Sequence, residues 1–457
     1  MKVLHITSWV RDGAGRACYR LHTGAKAAGH ESRILSFDHD RDDELFCWGS
    51  PTPLGRFLRR LRWHLEARTG LQGLLDPRLG FGNGEHLRWA DLVHLHNLHG
   101  YSLLTLMRLE AAGPWLWTFH DAWPLTGHCA YPEGCTGWHR ACRRCPRPDA
   151  QPSIGLNTAG LLFRLKERIY GRIKPTVVCP SRWLLEMVRR SPLTARFRSL
   201  CIPNGVDTAV FRPHPQATAR RVLGLPAEGH LLLFVASRLG QRRKGSDLLV
   251  RALRALRASG PGELRVVTVG EGPGLLRRSV PYPVIELGPV RRDEVLAMAY
   301  SAADLFVAPS REESFGLVLV ESMACGTPCV AFRVGAVPEI VRPGRTGWLA
   351  GPEDPEDLAR CIHQGLTDAD RRRRMSAICR RVARQEYDLF LMTGRYLRLY
   401  EELIEQGHRA APGRQPGLGR ARGPSSKRAA ATDGRLRWQR DSGMWSSSDA
   451  RARSQWG

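Results

Sequence analysis

Two glutamates, Glu313 and Glu321, stand with seven residues between them in the stretch Pro309–Pro328. A helix beginning near Phe315 would leave Glu313 just outside its first turn and carry Glu321 about two turns inside. The amides of Phe315, Gly316 and Leu317, which lack helical partners there, would then face an anion, with the carboxylates beside them ready to accept hydroxyl hydrogen bonds. Upstream, Ser237–Gly245 puts Arg238 and Lys244 on a glycine-containing loop next to a helix start. Two such cations can grip a diphosphate without metal. Arg242 and Arg243 on the same loop read as a solvated basic turn. Lys244 stands apart, because the chain uses only six lysines against 63 arginines.

In the first half, Thr118-Phe119-His120-Asp121 falls at a strand end, where a parallel sheet presents its ligand face. The first strand runs into Arg11–Cys18, a turn whose Gly13 and Gly15 let backbone approach a phosphate. With Cys18 at the third glycine position the dinucleotide fingerprint is imperfect, yet Asp38 lies where a ribose-binding acid would fall. A nicotinamide enzyme therefore stays open at this point. Asp38-His39-Asp40 and Asp40-Arg41-Asp42 match a metal-binding D-x-D pattern but read as a surface turn. Cys129, Cys135, Cys142 and Cys145 form a C-x5-C-x6-C-x2-C cluster able to offer four thiolates to a structural zinc. His128 and His139 compete as ligands, and ordinary buried or disulfide-capable cysteines are the other reading.

The elements that must position these groups follow from periodicity. Apolar runs at Val3–Thr7, Ser32–Phe37, Leu92–His96, Trp115–Phe119 and Thr176–Cys179 alternate with helical patterns, the rhythm of a doubly wound parallel sheet. A second set follows at Leu231–Ala236, Leu264–Val269, Asp304–Ala308, Pro328–Phe332 and Thr346–Leu349. The prediction is an α/β protein of two Rossmann-like domains, residues 1–205 and 206–388, hinged near Gly205. A C-terminal helix (389–407) and a disordered basic tail (408–457) complete it. Leu54–Leu65 sets apolar residues near helical spacing among four arginines. It reads either as a basic interfacial helix or as a helix packing its Leu/Phe stripe on the sheet.

The chain has 457 residues, 42% of them hydrophobic and 25% charged, which excludes fibrous and wholly disordered classes. No apolar run is long enough to cross a bilayer. Neither a signal-peptide pattern nor a disulfide framework is evident, so a reduced cytoplasmic setting is expected. A net charge of +25 favours acidic partners. A nucleic-acid binder would use that charge, but the sequence has no recognisable recognition module.

The strings Ile202–Asp207 (IPNGVD), Val269–Pro273 (VGEGP), Ala302–Ser310 (AADLFVAPS) and Glu313–Pro328 together resemble the family 4 retaining glycosyltransferases of GT-B fold, over residues 1 to roughly 405. The resemblance implies that Arg238 and Lys244 bind the donor diphosphate, that Glu313 holds the sugar hydroxyls and Glu321 the ribose hydroxyls, and that His120 lines the donor sugar. It implies that Gly13 and Gly15 face the phosphates and acceptor. His120–Pro146 is similar to a subset tied to bacterial exopolysaccharide or colanic-acid assembly. The implied reaction is metal-independent transfer from a nucleotide sugar to a glycan or lipid-linked acceptor by front-face attack. No cofactor and no specific nucleic acid are expected, and peripheral contact with the inner face of the plasma membrane fits a lipid-linked acceptor.

Overall fold

The computed structural model describes residues 1–10, 13–37, 45–47, 53–71, 85–260, 262–272 and 274–410. Arg11, Asp12, the two D-x-D triplets with Asp38, and the tail beyond Ala410 lie outside the described residues.

Seven parallel strands form the first sheet: β1 (Lys2–Ile6), β2 (Glu31–Ser36), β3 (Leu45–Cys47), β4 (Leu92–Leu95), β5 (Trp115–Thr118), β6 (Thr176–Cys179) and β7 (Arg198–Cys201), in the order 3-2-1-4-5-6-7. Six build the second: β8 (His230–Arg238), β9 (Leu264–Glu271), β10 (Val284–Glu286), β11 (Leu305–Ala308), β12 (Cys329–Phe332) and β13 (Gly347–Ala350), in the order 10-9-8-11-12-13. Helices cover both faces of a parallel sheet, so inner strands read as unbroken apolar runs. β11 (LFVA) and β12 (CVAF) are buried at every position.

Each sheet reverses its winding once. β1 pairs with β2 on one side and β4 on the other, and β8 pairs likewise with β9 and β11. Ligands of such sheets bind beyond the carboxyl ends of the strands at that reversal. The Gly13 turn follows β1, the Lys244 loop follows β8, Glu313 follows β11 and His120 follows β5.

The sequence reading omitted β3, β7 and β10, each of three or four residues at the edge of its sheet. Runs of three or four residues are too short for periodicity to mark as strands. The C-terminal helix, Leu389–Ala410, belongs to the first lobe. Its Met392, Tyr396, Leu399 and Tyr400 pack against Val3, Leu92, Leu116 and Val178. The chain therefore crosses between lobes twice, and the crossings run side by side where Val206 N donates to Tyr387 O and Leu389 N donates to Val206 O, both at 2.9 Å.

Candidate active site in the interlobe cleft

The tightest cluster gathers behind β8 and β11. Gly245, at φ 71°, opens the helix Ser246–Leu256, and a Cβ there would stand 1.8 Å from Pro309 O. Glycine is thus required both for the left-handed turn and for the close approach of the two loops. That approach delivers Lys244 Nζ to 2.6 Å from Glu313 Oε1. Ser310 Oγ donates to the same oxygen at 2.9 Å, and Arg243 Nη1 lies 3.2 Å from it. The Glu313 backbone is fixed as well, its carbonyl accepting from Ala336 N at 2.9 Å. Burial alone would raise the Glu313 pKa, but Lys244 and Arg243 outweigh it and hold the carboxyl down at about 2. Burial, with Arg243 adding to it, lowers the pKa of Lys244.

Arg243 corrects the sequence reading. It is no solvated turn residue: its side chain is 11% exposed, its guanidinium lies 4.0 Å over the Tyr131 ring, and Nη1 donates to Glu312 O at 3.0 Å. Arg242 does match that reading in being exposed, though it pairs with Glu133. Arg238 is not drawn into the buried cluster. It ends β8 with its side chain 77% exposed, 3.8 Å from Glu271. Glu271 helps line a cavity of about 280 Å³ with Leu239, Thr268, Gly270 and Glu286, at the carboxyl ends of β8, β9 and β10.

Gly316, at φ 98°, starts the helix Leu317–Ala324, where Leu319 N donates back to Gly316 O at 3.0 Å and the amides of Leu317 and Val318 precede the first helical hydrogen bond. Glu321 lies inside that helix, as the spacing predicts, but it faces the other lobe. Arg20 Nη2, on the first-lobe helix Gly13–Ala27, reaches its Oε1 at 2.7 Å, Arg16 stands 3.7 Å away, and Tyr300 OH donates to Oε2 at 3.3 Å. Arg20 and Arg16 both pair with Asp293 too. A ribose reaching Glu321 would share it with these cations, a feature the sequence reading missed. The arginines sit one turn apart on a helix of known position, so their common face was the available signal.

On the first lobe, His120 closes a chain of buried rings. His5 Nδ1 is 3.1 Å from His96 Nε2, and His96 Nδ1 is 3.0 Å from His120 Nε2. Burial lowers the His120 pKa to about 4, with Asp121 pulling weakly the other way, so the ring is neutral at pH 7. The two glycines differ in role. A Cβ on Gly15 would lie 2.0 Å from Trp9 O, whereas one on Gly13 would meet nothing within 4 Å. Gly15 is needed for packing, and among the described residues nothing fills the space beside Gly13.

More contacts join the lobes. Ser181 Oγ donates to Ser314 O at 2.6 Å, and Arg182 N and Trp183 N, opening the helix Arg182–Arg190, donate to Glu339 at 3.0 and 2.8 Å. Glu133 N donates to Glu312 Oε2 at 2.6 Å. The four cysteines Cys129, Cys135, Cys142 and Cys145 all carry free thiols and lie on the segment that bears Tyr131 and Glu133. Leu54–Leu65 is helical within Pro53–Thr69, but Phe57, Leu61 and Leu65 are 61%, 45% and 46% exposed. For these three the sheet-packing alternative is overturned, since none of the described elements covers them. Among the described residues no helix is long and apolar enough to cross a membrane.

Comparisons with known proteins agree with this architecture. Residues 11–210 match the family model described as Glycosyltransferase Family 4, and residues 229–368 match that of Glycosyl transferases group 1. A D-inositol 3-phosphate glycosyltransferase of Thermobispora bispora is 38% identical over 256 residues, 53% of this chain and 58% of that protein. The protein of the same name from Saccharomonospora viridis is 43% identical over 169 residues, 34% of this chain and 39% of its own. The chain thus matches little more than half the length of these curated relatives, or less. Sucrose-phosphate synthase of Thermosynechococcus elongatus superposes with a TM-score of 0.63 at 21% identity, covering 89% of this chain and all of the other. Anabaena HepE in complex with UDP-glucose does so with 0.63 at 18%, covering 88% and all of that chain.

Proposed function

We propose that the chain, whose two halves match the Family 4 and group 1 glycosyltransferase models, moves a sugar from a nucleoside-diphosphate sugar to an acceptor hydroxyl in the cleft between its lobes. The observation that carries this reading is the convergence of Lys244, Arg243 and Ser310 on one oxygen of Glu313, behind the strands where such sheets bind ligands. Breaking the anomeric C–O bond builds positive charge on the sugar and negative charge on the departing diphosphate. Lys244 and Arg243, with Arg238 at the rim and the amides of Gly316 and Leu317, stabilise the departing charge. Each preorganised donor is worth about 3 kcal/mol. That is the work a divalent cation does elsewhere, so the transfer runs without one. Glu313, held ionised, accepts hydrogen bonds from the sugar hydroxyls, and neutral His120 faces the sugar from the first lobe. Retention follows the resemblance to the retaining family, and the acceptor then attacks from the leaving-group side.

The acceptor reading follows the relatives, which are named for D-inositol 3-phosphate, rather than exopolysaccharide assembly. A small phosphorylated polyol suits a body whose net charge is strongly positive. A lipid-linked glycan is the second reading, and what favours it is the exposed Phe57, Leu61 and Leu65 ridge on an arginine-bearing helix, suited to an anionic membrane surface.

Thermal-shift titration with UDP-, GDP- and ADP-sugars tests the donor. One class should stabilise the native chain and leave Lys244→Ala unmoved, and no shift with any of them overturns the reading. Product NMR with inositol phosphate and then a polyprenyl-linked sugar as acceptors assigns the second substrate, and an inverted anomer would reject front-face attack.

A further inference from the structure

The segment between β5 and the helix Ala159–Tyr170 has no strand and only two short 3-10 turns, Trp123–Leu125 and Gly137–Arg140. It nonetheless keeps a strained, specific shape. Glu133, Ala141 and Cys142 adopt φ of 45°, 59° and 48°, three of the four non-glycine residues with positive φ among those described. Each such residue costs about 1–3 kcal/mol and persists only where its surroundings over-determine it.

Four thiols occupy this segment, and its turns fold Cys142 and Cys145 back beside Gly127 and His128. Three of the sulfurs accept a backbone amide, Cys142 from Gly127 at 3.3 Å, Cys135 from Gly137 at 3.4 Å and Cys145 from Arg147 at 3.4 Å. His128 adds a nitrogen. Its Nδ1 donates to Pro152 O at 2.9 Å, which turns the lone pair of Nε2 toward Cys145 Sγ, 3.2 Å away. Tying one ring nitrogen to a carbonyl so that the other can coordinate is how proteins orient metal-binding histidines.

We propose that this segment binds one zinc ion through Cys135, Cys142 and Cys145, with the fourth ligand from the adjacent His128–Cys129 pair, and that the metal holds the segment against the second lobe. Cys142 and Cys145 supply the C-x2-C half of such a site. The sulfurs must draw in around the ion. The trio of ligand atoms already within 4.8 Å of one another among the described residues lies elsewhere, at His5, Cys18 and His96 in the core, where the two imidazoles are spent on each other.

The consequence reaches the cleft. The same segment carries Tyr131 beneath Arg243, Glu133 against Arg242 and Glu312, and Gln151, whose Oε1 accepts from Gln241 at 2.9 Å. Zinc would therefore set the position of the loop that presents Arg243 and Lys244. The metal claim is independent of the transfer reaction, and only this last consequence rests on it.

The test is elemental analysis of the full chain purified under reducing conditions, with thiol counting before and after a zinc chelator. One zinc per chain is expected. Four further thiols should become reactive on chelation, or three if His128 rather than Cys129 is the fourth ligand. Cobalt substitution should give the charge-transfer bands of tetrahedral thiolate coordination. Cys135→Ser/Cys145→Ser should lose the metal, while Cys361→Ser should retain it. Limited proteolysis guards against a variant that fails to fold, since the chelated native chain should gain cuts within 126–150 that added zinc reverses. A metal-free native chain that takes up no zinc, or one in which these cysteines are paired as disulfides, overturns the proposal.

Discussion

Arg20 and Glu321, 301 positions apart in the chain, meet across the interlobe cleft at 2.7 Å, with side chains 7% and 2% exposed. A pair this deep in the protein is held by its geometry, and removing one partner strands the other. Arg16 and Asp293 extend the contact on either side, so the bridge is a four-residue network.

Arg20→Met should destabilise the chain by about 3 kcal/mol, because breaking a buried pair leaves an uncompensated charge. Glu321→Gln should cost a similar amount. The double variant should cost less than the sum, since it removes both charges together. Urea denaturation of the four proteins measures the coupling, and strictly additive losses would show that the pair contributes nothing as a pair.

Lys244 and Glu313 touch, yet their substitutions should separate in binding. Lys244→Ala should weaken a free nucleoside diphosphate and its sugar conjugate alike, by about 10- to 100-fold for a lost charged hydrogen bond. Glu313→Gln should weaken the conjugate and spare the free diphosphate. Calorimetric titration with UDP and UDP-glucose, or with the base the thermal-shift screen selects, reads both. Equal losses with both ligands in Glu313→Gln would remove the sugar-binding role.

Arg242 and Arg243 are neighbours with opposite environments. Arg243→Gln loses a ring contact over Tyr131 and an ion pair with Glu313, and should lower the melting temperature measurably, the ring contact alone being worth about 1 kcal/mol. Arg242→Gln, whose side chain is 58% exposed, should stay within about 0.5 kcal/mol of the native protein. Thermal melts of the two variants make the comparison, and it fails if they are indistinguishable.

Much of this was legible beforehand, and what was not has a common cause. The inner strands and the loops bearing Lys244, Glu313 and His120 follow from apolar runs and glycines, which report local structure, whereas the point at which each sheet reverses depends on strand order. Arg243 was misread because adjacent arginines look alike until the fold places Tyr131 under one of them. Arg20 was missed because its partner lies on another lobe, a long-range pairing that periodicity does not encode. The exposure of Phe57, Leu61 and Leu65 was one of two open readings, since an amphipathic pattern shows which residues share a face and not what that face meets.

Acid should unfold the protein through its histidines before its paired carboxylates. Burial lowers His120 to about 4 and His5 to about 3, and it lowers His94 and His96 well below their usual value. Between 6.5 and those values the unfolded chain binds more protons than the folded one, so stability is full above pH 6.5 and falls as pH drops toward 4. Glu313, held at about 2, begins to count only below its usual value of 4.5. Glu312 opposes the histidines, because burial lifts it to about 7 and folding then favours its protonated form as pH falls from 7 to 4.5. Melting temperature from pH 7 to 4.5 should therefore decline, His5→Gln should flatten the decline and Glu312→Gln should steepen it. A flat native profile would mean that these rings take up protons without unfolding.

The C-terminal helix ties itself to the first lobe through polar contacts as well as apolar ones. Tyr400 OH lies 2.7 Å from His94 Nδ1, and Tyr396 OH lies 2.9 Å from Thr118 Oγ1, which in turn lies 2.7 Å from His94 Nε2. His94 thus has a partner on each ring nitrogen, in a site fully removed from water. Tyr400→Phe keeps the ring and its packing but leaves one imidazole nitrogen buried without a partner, a loss of about 1–3 kcal/mol. Tyr396→Phe should cost less, because Thr118 Oγ1 retains His94. A chain ending at residue 388 loses the packing over Val3, Leu92, Leu116 and Val178 altogether, and should fail to give a cooperative melt for its first lobe. Urea denaturation followed by tryptophan fluorescence reads that lobe well, since Trp115 and Trp117 lie on β5 beside His94 on β4. If the shortened chain melted like the native one, the helix would be an ornament on the first lobe and not part of its core.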